Sequence, residues 1–200
     1  MGIKIYLLTN SNYMAKVTAP LMSMSASGKI GDAIVFFGWK GINVVRGFVK
    51  PANPMNAAQG NQRVIFGGTG RAVAEIKPEK AFAQQLIDLN LITSGQTKQS
   101  YLVKYILAHY ITDTTSYGTE LAALTAHTAY TSFQAAATAL SLVDFSLDYD
   151  TIDAYDKALG LYLIAKAAID LGLTGTPYTT NITTWDEAAI NAMVNDFTNV

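Results

Sequence analysis

Four places in the chain combine side-chain types and spacings that point to chemistry. The first is "FGGTG" (66–70), a glycine-rich string of the kind that wraps a phosphate. A P-loop requires G-x-x-x-x-G-K-[ST], and the dinucleotide fingerprint requires a preceding strand and an acidic residue about 20 positions later. Neither context is present: the glycines follow a helix start, and they read as close packing or a hinge. The second is the acidic run "DFSLDYDTIDAYD" (144–156). A calcium loop of the EF-hand type needs glycine at its sixth position and glutamate at its twelfth. Counting from Asp144 gives Tyr149 and Tyr155, and counting from Asp148 gives Asp153 and Leu159, so both frames fail. Asp150, Asp153 and Asp156 fit better as capping residues at the positive end of a helix. The third is the pair His109 and His127, each inside an apolar run, with no partner at zinc-ligand spacing and no cysteine in the chain. The serine-nucleophile signatures G-x-S-x-G and S-x-x-K are also missing. These strings assign no catalytic residue, no cofactor site and no metal site, and the chain reads as a non-enzyme.

The fourth place carries the signal. Lys29, Lys40, Arg46, Lys50, Arg63 and Arg71 are interleaved with Phe36, Phe37, Trp39 and Phe48. A basic strand studded with aromatic rings is the pattern of a stacking platform for nucleic acid. A charged rim around an apolar docking element fits it better, because seven excess charges over 80 residues are few for a dedicated nucleic-acid binder.

The elements that position these residues can be read in outline. "AIVFF" (33–37) and "INVVRGFV" (42–49) are β-branched and aromatic, and they flank "GWKG" (38–41). This predicts a hairpin with a four-residue turn. "AIVFF" does not alternate, so both of its faces call for burial, which a lone hairpin cannot supply. Pro51 and Pro54 then break the strand. Asn56 and Gln59 have capping-box spacing before a helix over about 57–76. Gly60, Gly67, Gly68 and Gly70 lie inside that helix. At about 1 kcal/mol each against alanine, they predict a kink, a break or a very close contact. Further helices are expected over 79–92, 97–112, 117–143 and 150–172, the last with Asp150 as N-cap and Gly172 past its end. Thr184 with Glu187 predicts a capping box before a final helix over 185–197. The expected fold is α+β: a small N-terminal β-hairpin and extended arm (1–55) as the docking part, then a mainly α-helical bundle (56–200), as two parts or as one continuous domain.

Residues 27–66, "SGKIGDAIVFFGWKGINVVRGFVKPANPMNAAQGNQRVIF", also carry a resemblance. The string is similar to a loosely defined group of uncharacterised structural proteins from tailed bacteriophages and prophages. The shared elements are Ser27, Gly28, Lys29 and Gly31; Trp39, Lys40 and Gly41; Val44, Val45 and Arg46; Pro51 to Pro54; and Ala58, Gln59, Gln62 and Arg63. Threonine is common in the group where Asn56 stands. The glycines at 67–70 depart from its helix-forming residues. The resemblance spans about a fifth of the chain and implies a virion context, with no catalytic residue to carry over.

Composition agrees with a part in an assembly. Only 14% of the 200 residues are charged, against roughly 25% in ordinary soluble domains. Residues 1–80 hold ten Lys/Arg and three Asp/Glu, while 81–200 hold four and twelve, so a net charge of −1 conceals +7 and −8. Such a division lets one copy dock on another or on an acidic partner, unless the halves simply neutralise each other within one fold. The uncharged stretch 121–143 is long enough to span a bilayer, but its threonines, serines, His127 and alanines fit a buried helix better. The apolar run Ile3–Leu8 is too short for a signal peptide, and Met14 could be the natural start. The expected function is a non-enzymatic, multi-copy bacteriophage virion protein attached to capsid or tail, assembled in the host cytoplasm. Phe37, Trp39 and Phe48 would be its apolar anchors, and Lys40 and Arg46 would pair with the acids of 144–156 on the next copy. Its partners would be copies of itself and other virion proteins, with no membrane. The alternative is a small nucleic-acid-associated protein using the same strand.

Overall fold

The computed structural model describes residues 14–16, 27–30, 33–50, 52, 56–77, 80–147 and 152–198. Residues 1–13, Pro51, Pro54, Asp148 and Asp150, which figure in the expectations above, lie outside them. The chain divides into two compact units, Met1–Pro54 and Met55–Val200. The two units differ in charge: the first holds six Lys/Arg against Asp32, net +5, and the second holds eight against fourteen acids, net −6.

The first unit is more than a hairpin. Strands β1 (Met14–Lys16), β2 (Gly28–Ile30), β3 (Ile34–Trp39) and β4 (Ile42–Gly47) form an antiparallel sheet in the order β1-β4-β3-β2. The turn between β3 and β4 is tighter than the four residues expected. Trp39 pairs with Ile42, so only Lys40 and Gly41 make the turn, at φ 48° and 76°. Positive φ at both central residues twists the chain as the flanking strands twist, which is why such turns close two-residue hairpins. Glycine meets that demand without strain, and Lys40 meets it at a cost.

The second unit is helical: α1 (Ala57–Ala74), α2 (Ala81–Asp88), α3 (Lys98–His109), α4 (Thr114–Thr125), α5 (Tyr130–Ala139), α6 (Lys157–Asp170) and α7 (Glu187–Thr198), with a 3₁₀ turn at Ile182–Thr184. The α+β class is as the sequence predicts. Helix α6 is the axis of the core. Ten of its residues, among them Leu159, Leu161, Leu163 and Ile164, are buried, and α1, α3, α4 and α5 all pack on it. Its ends are fixed by named residues. The Asp156 carboxylate accepts from the Ala158 and Leu159 N–H groups at 2.6 and 3.3 Å. At the far end Gly172 has φ 73°. There the Gly172 and Leu173 N–H groups bond back to Ile169 and Ala168, a Schellman closure.

Several expectations need correction. Helix α6 starts at Lys157, because Asp156 supplies the cap nearest the apolar run. Helix α7 is capped by Asp186, which accepts from Ala189 N–H at 2.9 Å; the Thr184 hydroxyl instead donates to Asn181 C=O at 2.7 Å. The helix expected over 79–92 is only the eight residues of α2. The glycines of α1 do not break it, since α1 runs unbroken through all four. Close contact is their reason at two positions. A Cβ on Gly67 would stand 2.3 Å from the Phe145 ring, and one on Gly68 would stand 2.1 Å from Tyr155 Cγ. Gly160 of α6 completes the contact, because a Cβ there would lie 2.6 Å from Ala72 Cβ. Asn56 caps α1 as expected, accepting from Gln59 N–H at 2.8 Å.

The long alanine-rich helix expected over 117–143 is two helices, α4 and α5, and His127 sits in the break. Its Nδ1 lies 3.0 Å from Ala129 N, which can only donate, and its Nε2 lies 2.8 Å from Ile182 O, which can only accept. The proton is therefore on Nε2. The ring also packs edge-on against Phe133 and Tyr162, with centroids 5.5 and 6.3 Å away. One side chain thus turns the backbone between α4 and α5 and ties it to the 3₁₀ turn. His127→Ala is expected to cost about 2 kcal/mol in urea unfolding, because it strands one donor and one acceptor; a variant as stable as the parent would show that water replaces both bonds.

Three tyrosines are held well inside. Burial pushes the phenols of Tyr155, Tyr110 and Tyr178 far above their ordinary 10.0, with Asp170 adding to the effect at Tyr110 and Asp196 at Tyr178. Tyr110 donates to Asp170, and Tyr178 donates to Asp196 at 2.9 Å. A phenol whose folded pKa is raised stabilises the fold fully below the unfolded value, near 10, and loses that contribution as pH climbs past it. Alkaline titration followed by phenolate absorbance should therefore show these tyrosines ionising only together with loss of helix, above about pH 10. Independent ionisation with the helices intact would contradict their burial.

Candidate functional site

The register of the sheet sorts its side chains into two faces. Residues directly opposite one another share a face, and successive residues alternate. One face carries Ile30, Ile34, Phe36 and Val45. The other carries Lys29 beside Val35 and Arg46, then Phe37 beside Val44, then Trp39 beside Ile42. Phe48 follows two residues after Arg46 and joins this second face, since Lys29 Nζ lies 4.4 Å from the centre of its ring. The Phe48 N–H donates to Ala33 C=O at 2.8 Å, which fixes the chain there beyond the end of β4.

Three cations on this face each lie over a ring. Lys29 is over Phe48, Arg46 is 5.3 Å from the Phe37 centroid, and Lys40 is 5.9 Å from that of Trp39. A cation over an aromatic face is attracted by the ring quadrupole, worth about 0.5–1 kcal/mol where water has access. The pairs orient both partners: each ring is held by the charge above it, and each charge stays at the surface. The five residues picked out by the sequence, Phe37, Trp39, Lys40, Arg46 and Phe48, thus belong to one side of one sheet, with Lys40 in the turn at its end. Lys29 and Ile42 complete the row. The alternation Ile42, Val44, Arg46, Phe48 was the signal for the shared face, and Lys29 became assignable only through the register of β2 on β3.

Apolar exposure remains on both faces. Trp39 is 56% and Ile42 40% exposed on the cationic side, and Ile30 and Ile34 are 48% and 39% exposed on the other. Val44 is buried, and Val35, Phe36 and Phe37 are half-buried. The sheet folds a strand whose two faces are apolar and leaves part of each in water.

The acids of 144–156 are partly committed inside their own unit. Asp144 accepts from Lys157 N–H at 3.1 Å, and Asp156 caps α6 and accepts from the Tyr130 hydroxyl at 3.2 Å. Asp153 is exposed. Phe145 and Tyr155 pair as an isolated bridge, with N···O distances of 3.3 and 2.7 Å, which brings the two ends of this loop together. Beside it Gly68, Arg71, Ser141, Tyr155 and Lys157 line a crevice of about 160 Å³. Arg71 is placed there over the Phe145 ring at 4.7 Å. Among the described residues no three His, Asp or Glu side chains converge as metal ligands would. No helix of the described residues is long and apolar enough to cross a membrane.

Compared with protein-family models, curated proteins and solved structures, the chain matches none of them.

Proposed function

We propose that this chain is a non-enzymatic structural protein of a tailed-bacteriophage virion, present in many copies and attached to capsid or tail, whose N-terminal sheet docks on a neighbouring subunit. One observation carries the docking role: the sheet exposes large apolar side chains on both faces, Trp39 and Ile42 on one and Ile30 and Ile34 on the other. A soluble single-copy domain buries at least one face of such a sheet, and an exposed apolar patch rimmed by charge marks an interaction surface. The virion context rests on the resemblance of residues 27–66. In this reading Trp39, Phe37 and Phe48 are the anchors, and Lys40 and Arg46 set the register of docking through acids of the acidic second unit.

A second reading has its own support. Lys29, Lys40 and Arg46 share one face with the rings of Phe48, Trp39 and Phe37, an arrangement suited to a single-stranded nucleic acid. Light scattering of the purified chain at low and high salt tests both. The assembly reading expects a defined oligomer, ring or lattice that survives salt. The nucleic-acid reading expects a monomer that binds a labelled single-stranded oligonucleotide, with affinity falling steeply as salt rises, by about 0.7 log unit per log unit for each phosphate neutralised. A monomer that binds no oligonucleotide at any salt removes both.

A further inference from the structure

The helical unit has a surface of its own that its internal packing does not explain. On α3, Ser100, Val103, Lys104, Leu107 and Ala108 recur at the spacing of one helix face, and with Phe66 and Gly70 of α1 they line a groove of about 600 Å³. Phe66 is 62% exposed. Gly70 is the unusual member. A glycine inside a helix weakens it and is retained where space is needed. At Gly67, Gly68 and Gly160 a neighbouring side chain takes that space, but a Cβ on Gly70 would meet no atom within 4 Å. The space above Gly70 belongs to the groove.

The charge beside the groove runs against that of its unit, which is net −6. Lys104 lines the groove, Arg63 stands three residues before Phe66 on α1, and neither helix carries an acid. We propose that the α1–α3 groove is a docking site for an acidic amphipathic helix of another protein, its apolar side chains lying over Gly70 and against Phe66, Val103 and Leu107, its carboxylates meeting Lys104. The sheet of a second copy has the wrong sign to be the occupant, since its unit is net +5 and Lys40 adjoins Trp39. The helix-in-groove mode asks for what the groove offers, an apolar trough with charge at its rim. This inference is independent of the role proposed for the sheet.

The test is fluorescence anisotropy with the full chain and a labelled synthetic peptide of about 20 residues, with leucines at i, i+3, i+4 and i+7 and glutamates between. Two control peptides carry lysine for glutamate, or the same residues in scrambled order. Saturable micromolar binding is expected for the acidic amphipathic peptide, at least about tenfold weaker for either control. Gly70→Leu fills the floor of the groove where open space is available, so it should melt no lower than the parent yet weaken binding at least about tenfold. Lys104→Glu should do the same. Absence of saturable binding, equal binding of the scrambled peptide, or unchanged binding by Gly70→Leu overturns the proposal. It is also overturned if Gly70→Leu dissociates an oligomer of the chain, which would make the groove a contact between copies. Loss of binding to phosphatidylglycerol vesicles in that variant, with peptide binding intact, would make it a lipid surface instead.

Discussion

Gly68→Ala is expected to destabilise the helical unit by about 3 kcal/mol, whereas Gly70→Ala, two residues along the same helix, should stabilise it by up to about 1 kcal/mol. The two substitutions add the same methyl group and remove the same backbone freedom, so propensity favours both equally. What differs is the neighbour. At Gly68 the new Cβ would sit 2.1 Å from Tyr155 Cγ and 2.4 Å from Tyr155 Cβ. Tyr155 cannot swing away, because its ring is buried, its backbone pairs with Phe145, and its hydroxyl accepts from Thr69 at 3.2 Å. Helix α1 must then move off the loop that carries Tyr155, opening the packing against α6. At Gly70 the methyl group meets nothing. Thermal melts followed by helix ellipticity should show a fall of about 6–12 °C for the first variant and a rise of a few degrees for the second. Equal shifts of the same sign would mean that the contact between α1 and the Tyr155 loop is looser than these distances.

Trp39→Ala is the second large effect, and it falls on association, not on folding. Trp39 is 56% exposed at the end of β3, so removing its indole takes little from the interior of the sheet, and such surface changes usually stay within about 0.5 kcal/mol. In the assembly reading the same indole is desolvated by a neighbour, and a central tryptophan of an interface commonly contributes about 2 kcal/mol or more, at least about thirty-fold in the dissociation constant. The expected result is a chain with unchanged circular dichroism and unchanged melting whose oligomer dissociates at concentrations where the parent remains assembled. Arg46→Ala should act more weakly, since it removes one charge and frees the Phe37 ring beneath it. Should Trp39→Ala assemble like the parent, the anchor role of the hairpin is lost.

Local signals made much of this fold legible. The hairpin followed from two β-branched runs about a short glycine-bounded turn, and the end of α6 followed from Gly172. The start of α1 followed from Asn56. What could not be read depended on partners distant in sequence. The split between α4 and α5 is made by His127 bonding to Ile182, 55 residues away, and nothing in the alanine-rich stretch announces it. Which of several nearby acids caps α6 was settled by where the buried run begins, not by acid spacing. The glycines of α1 gave an alarm with three readings, and only Phe145 and Tyr155 show that close contact is the reason at Gly67 and Gly68. For the candidate site, alternation along β4 shows which of its residues lie together, but the place of Lys29 needs the pairing of β2 with β3.

The turn of Lys40 and Gly41 has a consequence for the handedness of the whole surface. Side chains of a strand alternate, so sliding β4 by one residue against β3 would carry every one of its residues to the opposite side. The two-residue turn forbids that slide, and it depends on a backbone conformation with φ 76° at Gly41 that a branched side chain resists. Gly41 contributes no ring, no charge and no contact surface. It nevertheless decides that Arg46 stands over Phe37 and not behind it, and a valine there would not so much weaken the cationic face as divide it between the two sides of the sheet.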